Sequence, residues 1–156
     1  MAGCKPSNPA LPDTLALPPV AGLTSNGGWQ VPGVNVAHFT GRVTLLGFWA
    51  TWCSYCQDEH QALRNLAADG RFKLAGLAVK DDPAKVRDYL MQHGNPYSVI
   101  SLDHRGTAGN ALGKRGVPTK YLIGPNRAIV ATFIGPVSDS RIMNDIRAGL
   151  QRLQST

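Results

Sequence analysis

The junction at residues 49–56 constrains this chain more than any other stretch. A short apolar run, Arg42–Ala50, carries Val43, Leu45, Leu46, Phe48 and Trp49 and leads directly into Trp52-Cys53-Ser54-Tyr55-Cys56. Its β-branched and aromatic content predicts a buried central strand. From about Ser54 to Ala68, Ala62, Leu63, Leu66 and Ala67 recur at helical spacing, and Gly70 follows as a stop. A C-x-x-C alone is a weak signal, found in metal sites and by chance. Between a buried strand and a helix it carries more, because a helix N-terminus offers unsatisfied N–H groups and a partial positive charge. That field stabilises a sulfur anion at Cys53, and Cys56, one turn inside, can close the disulfide. Cys53 is thus read as nucleophile and Cys56 as resolving thiol. The plain alternative is two small buried hydrophobes.

The rest of the chain alternates. Phe72–Val79 reads as a second buried strand. Asp82-Pro83 then starts a helix, with Asp as cap and Pro at the first helical position, and Gly94 closes it. Val86, Tyr89, Leu90 and His93 share one face of that helix. Tyr97–Leu102 is a third strand, followed by a short helix around Thr107–Leu112. Thr119–Ile123 and Ala128–Ile134 form a hairpin across Gly124-Pro125-Asn126-Arg127. The last helix runs from a Ser138 cap to about Leu153, with Ile142, Met143, Ile146, Leu150 and Leu153 as its apolar stripe. This order predicts an α/β sandwich with parallel central strands and an antiparallel hairpin at the edge. Residues 1–35, rich in Pro, Gly, Ser and Asn, read as an extended arm or linker with at most one short strand near Leu15–Leu23. Residues 36–156 form the domain.

Composition narrows the function classes. With 156 residues and 43% hydrophobic content, the chain can bury a core without disulfide staples. The net charge of +6 comes from scattered basic residues, with no stripe suited to nucleic acid. Three cysteines exclude a disulfide-rich scaffold. Two cysteines and His60 do not make a closed structural zinc site, so no metal is expected. No apolar run approaches the ~20 residues of a membrane span, and no signal peptide is visible. The chain is then either cytosolic or lacks an export segment that was removed. Cys4, in Ala2-Gly3-Cys4, reads as a linker cysteine or as the tail of a lipoprotein cleavage site.

Two further positions bear on the cysteines. Pro118, in Gly116-Val117-Pro118-Thr119, is either a plain edge-strand proline or the second residue of a cis Val117–Pro118 bond. A cis bond would leave the Val117 backbone free to pair with an extended substrate strand. Glu59, three residues after Cys56, shares its side of the helix. It is either a solvated charge or a carboxylate that accepts the resolving thiol's proton.

Trp49-Ala50-Thr51-Trp52-Cys53-x-x-Cys56 is similar to the active-site signature of the thioredoxin superfamily. Asp58-Glu59-His60, Lys80-Asp81-Asp82, Gly94-Asn95-Pro96-Tyr97, Gly113-x-x-Gly116-Val117-Pro118 and Gly135-Pro136 narrow the resemblance to the cytochrome c maturation thioredoxins, the CcmG, DsbE or CycY group. Leu17-Pro18-Pro19, Gly22-Leu23 and Val31-Pro32-Gly33 resemble that group as well. The resemblance implies a thioredoxin-like fold, a central mixed sheet flanked by helices. It also implies a bacterial periplasmic domain anchored to the inner membrane by an N-terminal helix. There it acts as a reductant with no cofactor beyond its own Cys53–Cys56 disulfide. Electrons come from a membrane thiol transporter of the DsbD or CcdA type and pass to the Cys-x-x-Cys-His of apocytochrome c, directly or through a CcmH-like partner. Cys53 and Cys56 become the redox pair and Pro118 the cis-proline. Glu59 is the acidic residue near the site, and Trp52, Val117 and Thr119 support substrate binding.

The chain departs from that pattern at three places. Thr119 stands where the group usually has Glu, Ser54-Tyr55 lacks the frequent Pro, and Gly47 occupies the place of a buried Asp in thioredoxins. The last makes Glu59 the more plausible substitute as proton acceptor. Thr119 also fits a TlpA-type reductase for copper-centre assembly, while Gly-Asn-Pro-Tyr fits it less well. A non-catalytic thiol-peptide binding module and a dithiol oxidant complete the alternatives.

Overall fold

The structure, a computed structural model, describes residues 10–114 and 116–154. Its core is a sheet of β1 (Thr44–Trp49), β2 (Lys73–Val79), β3 (Val99–Asp103), β4 (Thr119–Ile123) and β5 (Ile129–Ile134), in the spatial order β3-β2-β1-β4-β5. β1, β2 and β3 run parallel, and β4 and β5 are antiparallel to their neighbours. This is the mixed sheet expected from the alternation, with the hairpin at one edge. The central strand β1 is buried along its whole length, whereas the edge strand β5 alternates between buried and more open positions.

The helices are α1 (Ser54–Ala67), α2 (Pro83–His93), α3 (Thr107–Ala111) and α4 (Ser140–Gln154). Asp82 caps α2, its carboxylate accepting the Ala84 N–H at 2.7 Å. The cap of α4 differs from the sequence expectation. Asp139, not Ser138, accepts the Arg141 N–H at 2.9 Å, because the Pro136–Asp139 turn sets Asp139 at the cap position one residue before the helix.

Residues 10–35 run through successive turns, and no strand forms over Leu15–Leu23. Single bridges join Ala16 to Asn35 and Thr24 to Gln30. The segment is packed onto the sheet. Leu11, Leu15, Val20, Leu23, Val31 and Val34 are buried in the same core as the strands. The Ile100 N–H donates to Pro32 O at 3.0 Å, and the buried Ser101 hydroxyl donates to Pro18 O at 2.7 Å. Gly33 is required by this crossing: a Cβ there would lie 2.3 Å from Leu17 O. A 3-10 turn, Val36–Phe39, buries Phe39 and leads into β1. Cys4 lies outside the described residues.

Candidate active site

β1 carries the chain out of the sheet centre between its two neighbours, with Phe48 opposite Thr119 on β4 and Trp49 beside Ala78 on β2. Residues 50–53 then turn into α1. Cys53 is the N-cap of that helix, and its Sγ accepts the Cys56 N–H at 3.2 Å. Strand and helix thus place Cys53 where the helix-end N–H groups converge. Both sulfurs are free thiols, and both residues are largely covered, at 7% and 3% exposure.

The loop before β4 faces Cys53. The Val117–Pro118 peptide bond is cis. The Cys53 thiol points to Val117 O at 4.0 Å. Pro118 is buried, and its carbonyl accepts the Gly135 N–H at 3.0 Å. Thr119 is also buried, and its hydroxyl donates to Gly116 O at 2.7 Å. Trp52, Tyr55 and Ile134 are the large apolar side chains left exposed near this opening. Trp52 is anchored at its ring nitrogen, which donates to Lys80 O at 2.9 Å.

Glu59 is not a solvated charge. It is 1% exposed and forms an ion pair with Lys120, equally buried. The Val137 N–H donates to the same carboxylate oxygen at 3.1 Å. Burial pushes the Glu59 carboxyl above its ordinary value, and the charge and hydrogen bond of Lys120 pull it back. Burial likewise lowers the Lys120 ammonium, against the pull of Glu59. Burial, then the hydrogen bond with Cys53, drives the Cys56 thiol far above the usual range of a cysteine, with Glu59 acting in the same direction. Cys56 therefore holds its proton until a base removes it.

Sequence reasoning missed three supporting residues. Lys120 carried a signal: one cation inside the apolar run Thr119–Ile123, every residue of which is buried. Asp81 stands out in the sequence only through the family likeness. Its carboxylate accepts the Thr51 N–H at 2.6 Å and the Thr51 hydroxyl at 2.8 Å, clamping the turn that precedes Cys53. Gln57 closes the same turn, its amide donating to Thr51 O at 2.8 Å. His60 turns away from the sulfurs and donates from Nε2 to Gly94 O at 2.7 Å.

The Redoxin family model matches residues 30–146. The chain is 31% identical over 122 residues to the thiol:disulfide interchange protein CycY of Rhizobium leguminosarum bv. viciae, covering 78% of this chain and 66% of that protein. It is 30% identical over 119 residues to the thiol:disulfide interchange protein HelX of Rhodobacter capsulatus, covering 76% and 67%. Relatives of the DsbE type match over shorter stretches, so the chain spans from about half to two thirds of the length of the curated relatives it matches. Among solved structures, a Chlorobium tepidum protein assigned to the DsbE type superposes with a TM-score of 0.72 at 23% identity, covering 92% of this chain and 97% of that one. That likeness establishes the thioredoxin-like fold.

Proposed function

The chain belongs to the Redoxin family, among relatives named as thiol:disulfide interchange proteins, and on that premise we propose that it is a thiol–disulfide oxidoreductase that works as a reductant in cytochrome c maturation. One observation carries the reading: Cys53 caps α1 against the Val117 carbonyl, with Cys56 one turn deeper. Cys53 thiolate attacks a partner disulfide, forming a mixed disulfide and releasing one partner sulfur as thiolate. Cys56 then attacks Cys53 Sγ. The Cys53–Cys56 bond forms, the bond from Cys53 to the partner breaks, and the second partner sulfur leaves with the electron pair. Two electrons have passed to the partner, and Glu59 is the base that takes the Cys56 proton. Trp52, Val117, Pro118 and Thr119 border the place where the partner peptide lies.

The disulfide is the only redox group this reaction needs. In the reading proposed, the domain faces the periplasm at the inner membrane. A DsbD- or CcdA-type thiol transporter reduces it again, and the acceptor is apocytochrome c or a CcmH-like protein. Among the described residues no helix is long and apolar enough to cross a membrane. Thr119 favours one competing reading, a TlpA-type reductase serving copper-centre assembly.

Two measurements test the proposal. Equilibration with glutathione is expected to place the couple on the reducing side, and a potential near about −120 mV, the strong-oxidant end, rejects the reductant reading. Cys56→Ser is expected to trap a mixed disulfide through Cys53 with apocytochrome c or its thiol partner. Capture of a copper chaperone instead transfers the assignment to the TlpA type.

A further inference from the structure

Lys120 is a fully buried cation in the core. It lies on β4 between Thr119 and Tyr121, opposite Gly47 on β1, and is 1% exposed. Its stem passes over Gly47: a Cβ placed there would meet Lys120 Cγ at 3.7 Å. Nζ reaches Glu59 Oε1 and, at 3.5 Å, Gly135 O. Burying an ammonium and a carboxylate together is weak evidence for stability, since apolar residues of similar volume often serve at least as well. The location of the pair points to a different use, because Glu59 follows Cys56 by one helical turn.

The titratable groups facing the carboxylate come from several elements. They are Cys56 on α1, Tyr89 on α2, Tyr97 ahead of β3 and Lys120 on β4. Lys120 is the one cation among these groups, and its ammonium also lies within electrostatic reach of both sulfurs.

We propose that Lys120 is a positioning residue for the resolving half of the exchange: it keeps the buried Glu59 carboxylate charged and fixed, ready to take the Cys56 thiol proton as Cys56 attacks the mixed disulfide. This rests on Glu59 being that proton acceptor. In the step, the Cys56 S–H bond breaks and its proton goes to a Glu59 oxygen. The Cys56–Cys53 bond forms, and the partner sulfur leaves with the electron pair. Lys120 transfers nothing. Its charge first balances the carboxylate and then the negative charge passing through Cys56 Sγ. Without it, burial would favour the neutral, protonated carboxyl and leave less of the charged form to act as base.

The test uses the reduced, full chain with the aromatic disulfide DTNB as probe. Two thionitrobenzoate anions are released: the first reports attack by Cys53, the second reports resolution by Cys56. In Lys120→Met the second phase is expected to fall about tenfold relative to the first at pH 7, and its pH profile to move up by about one unit. Glu59→Gln is expected to slow the second phase and remove that inflection. A Lys120→Met profile that superimposes on the wild type, with Glu59→Gln still slow, overturns the role of Lys120 alone. A Glu59→Gln second phase equal to wild type overturns the proton-acceptor reading, and the Lys120 proposal with it. Should Lys120→Met not fold, carbon NMR of labelled glutamate in the wild-type protein decides. Glu59 ionised at pH 7 supports the proposal, and Glu59 protonated there overturns it.

Discussion

Asp81 holds the approach to the cysteines without touching them. Asp81 takes both the amide and the hydroxyl of Thr51, two residues before Cys53. Asp81→Ala leaves those donors without their partner and is expected to destabilise the fold by about 1–3 kcal/mol. It should also slow attack by Cys53, because the turn that presents the sulfur is no longer fixed. Chemical denaturation and the first DTNB phase measure the two effects, and an unchanged first phase removes Asp81 from any positioning role. Burial holds the His60 imidazole below the ordinary value of 6.5. The unfolded chain then binds more protons than the folded one over the interval from that value down to the folded one. Stability at this residue is complete above about pH 6.5 and declines as the pH falls through that interval. His60→Gln is expected to flatten this part of the stability–pH curve, and denaturant midpoints taken from pH 7 downward give the slope.

Strands and helices carry the site through a few close approaches. Gly76 on β2 lies beneath the Tyr97 ring, and a Cβ there would stand 2.9 Å from it. Tyr97 in turn stacks against Trp49 at the end of β1, with ring centroids 5.8 Å apart. Gly76→Ala must therefore push the ring that supports the strand leading to the cysteines. The expected cost is about 1–3 kcal/mol, seen as a lower denaturant midpoint with an unchanged m-value. Most element identities were legible in the sequence. Arg42–Ala50 and Phe72–Val79 are apolar runs of strand length, and Asp82-Pro83 marks a helix start by its own chemistry. The α4 cap was less legible, because Ser138 and Asp139 are both good caps and the Pro136–Asp139 turn decides between them.

Across the whole molecule, the stretch that reads as a linker completes the core. Leu23 is 0% exposed although it lies outside every strand and helix. Leu23→Ala is expected to cost about 2–5 kcal/mol, the range for a core truncation, whereas a true linker position would cost little. A midpoint within error of the wild type would restore the linker reading. Composition pointed the wrong way because proline and glycine mark irregular backbone, not exposure. Pro32 and Gly33 run irregularly here because they cross the chain at Leu17 and pair with the edge of β3.

The strand-to-helix junction and the place of Cys53 and Cys56 within it were fixed by sequence alone. Periodicity, caps and the three-residue cysteine spacing are local, and local patterns can be read along the chain. The tertiary structure alone brought Glu59 to Lys120 across 61 residues and Thr51 to Asp81 across 30. Such pairs have no periodic signature. Whether a charge is solvated or buried against its opposite depends on which strand lies over which helix, and only the folded sheet decides that.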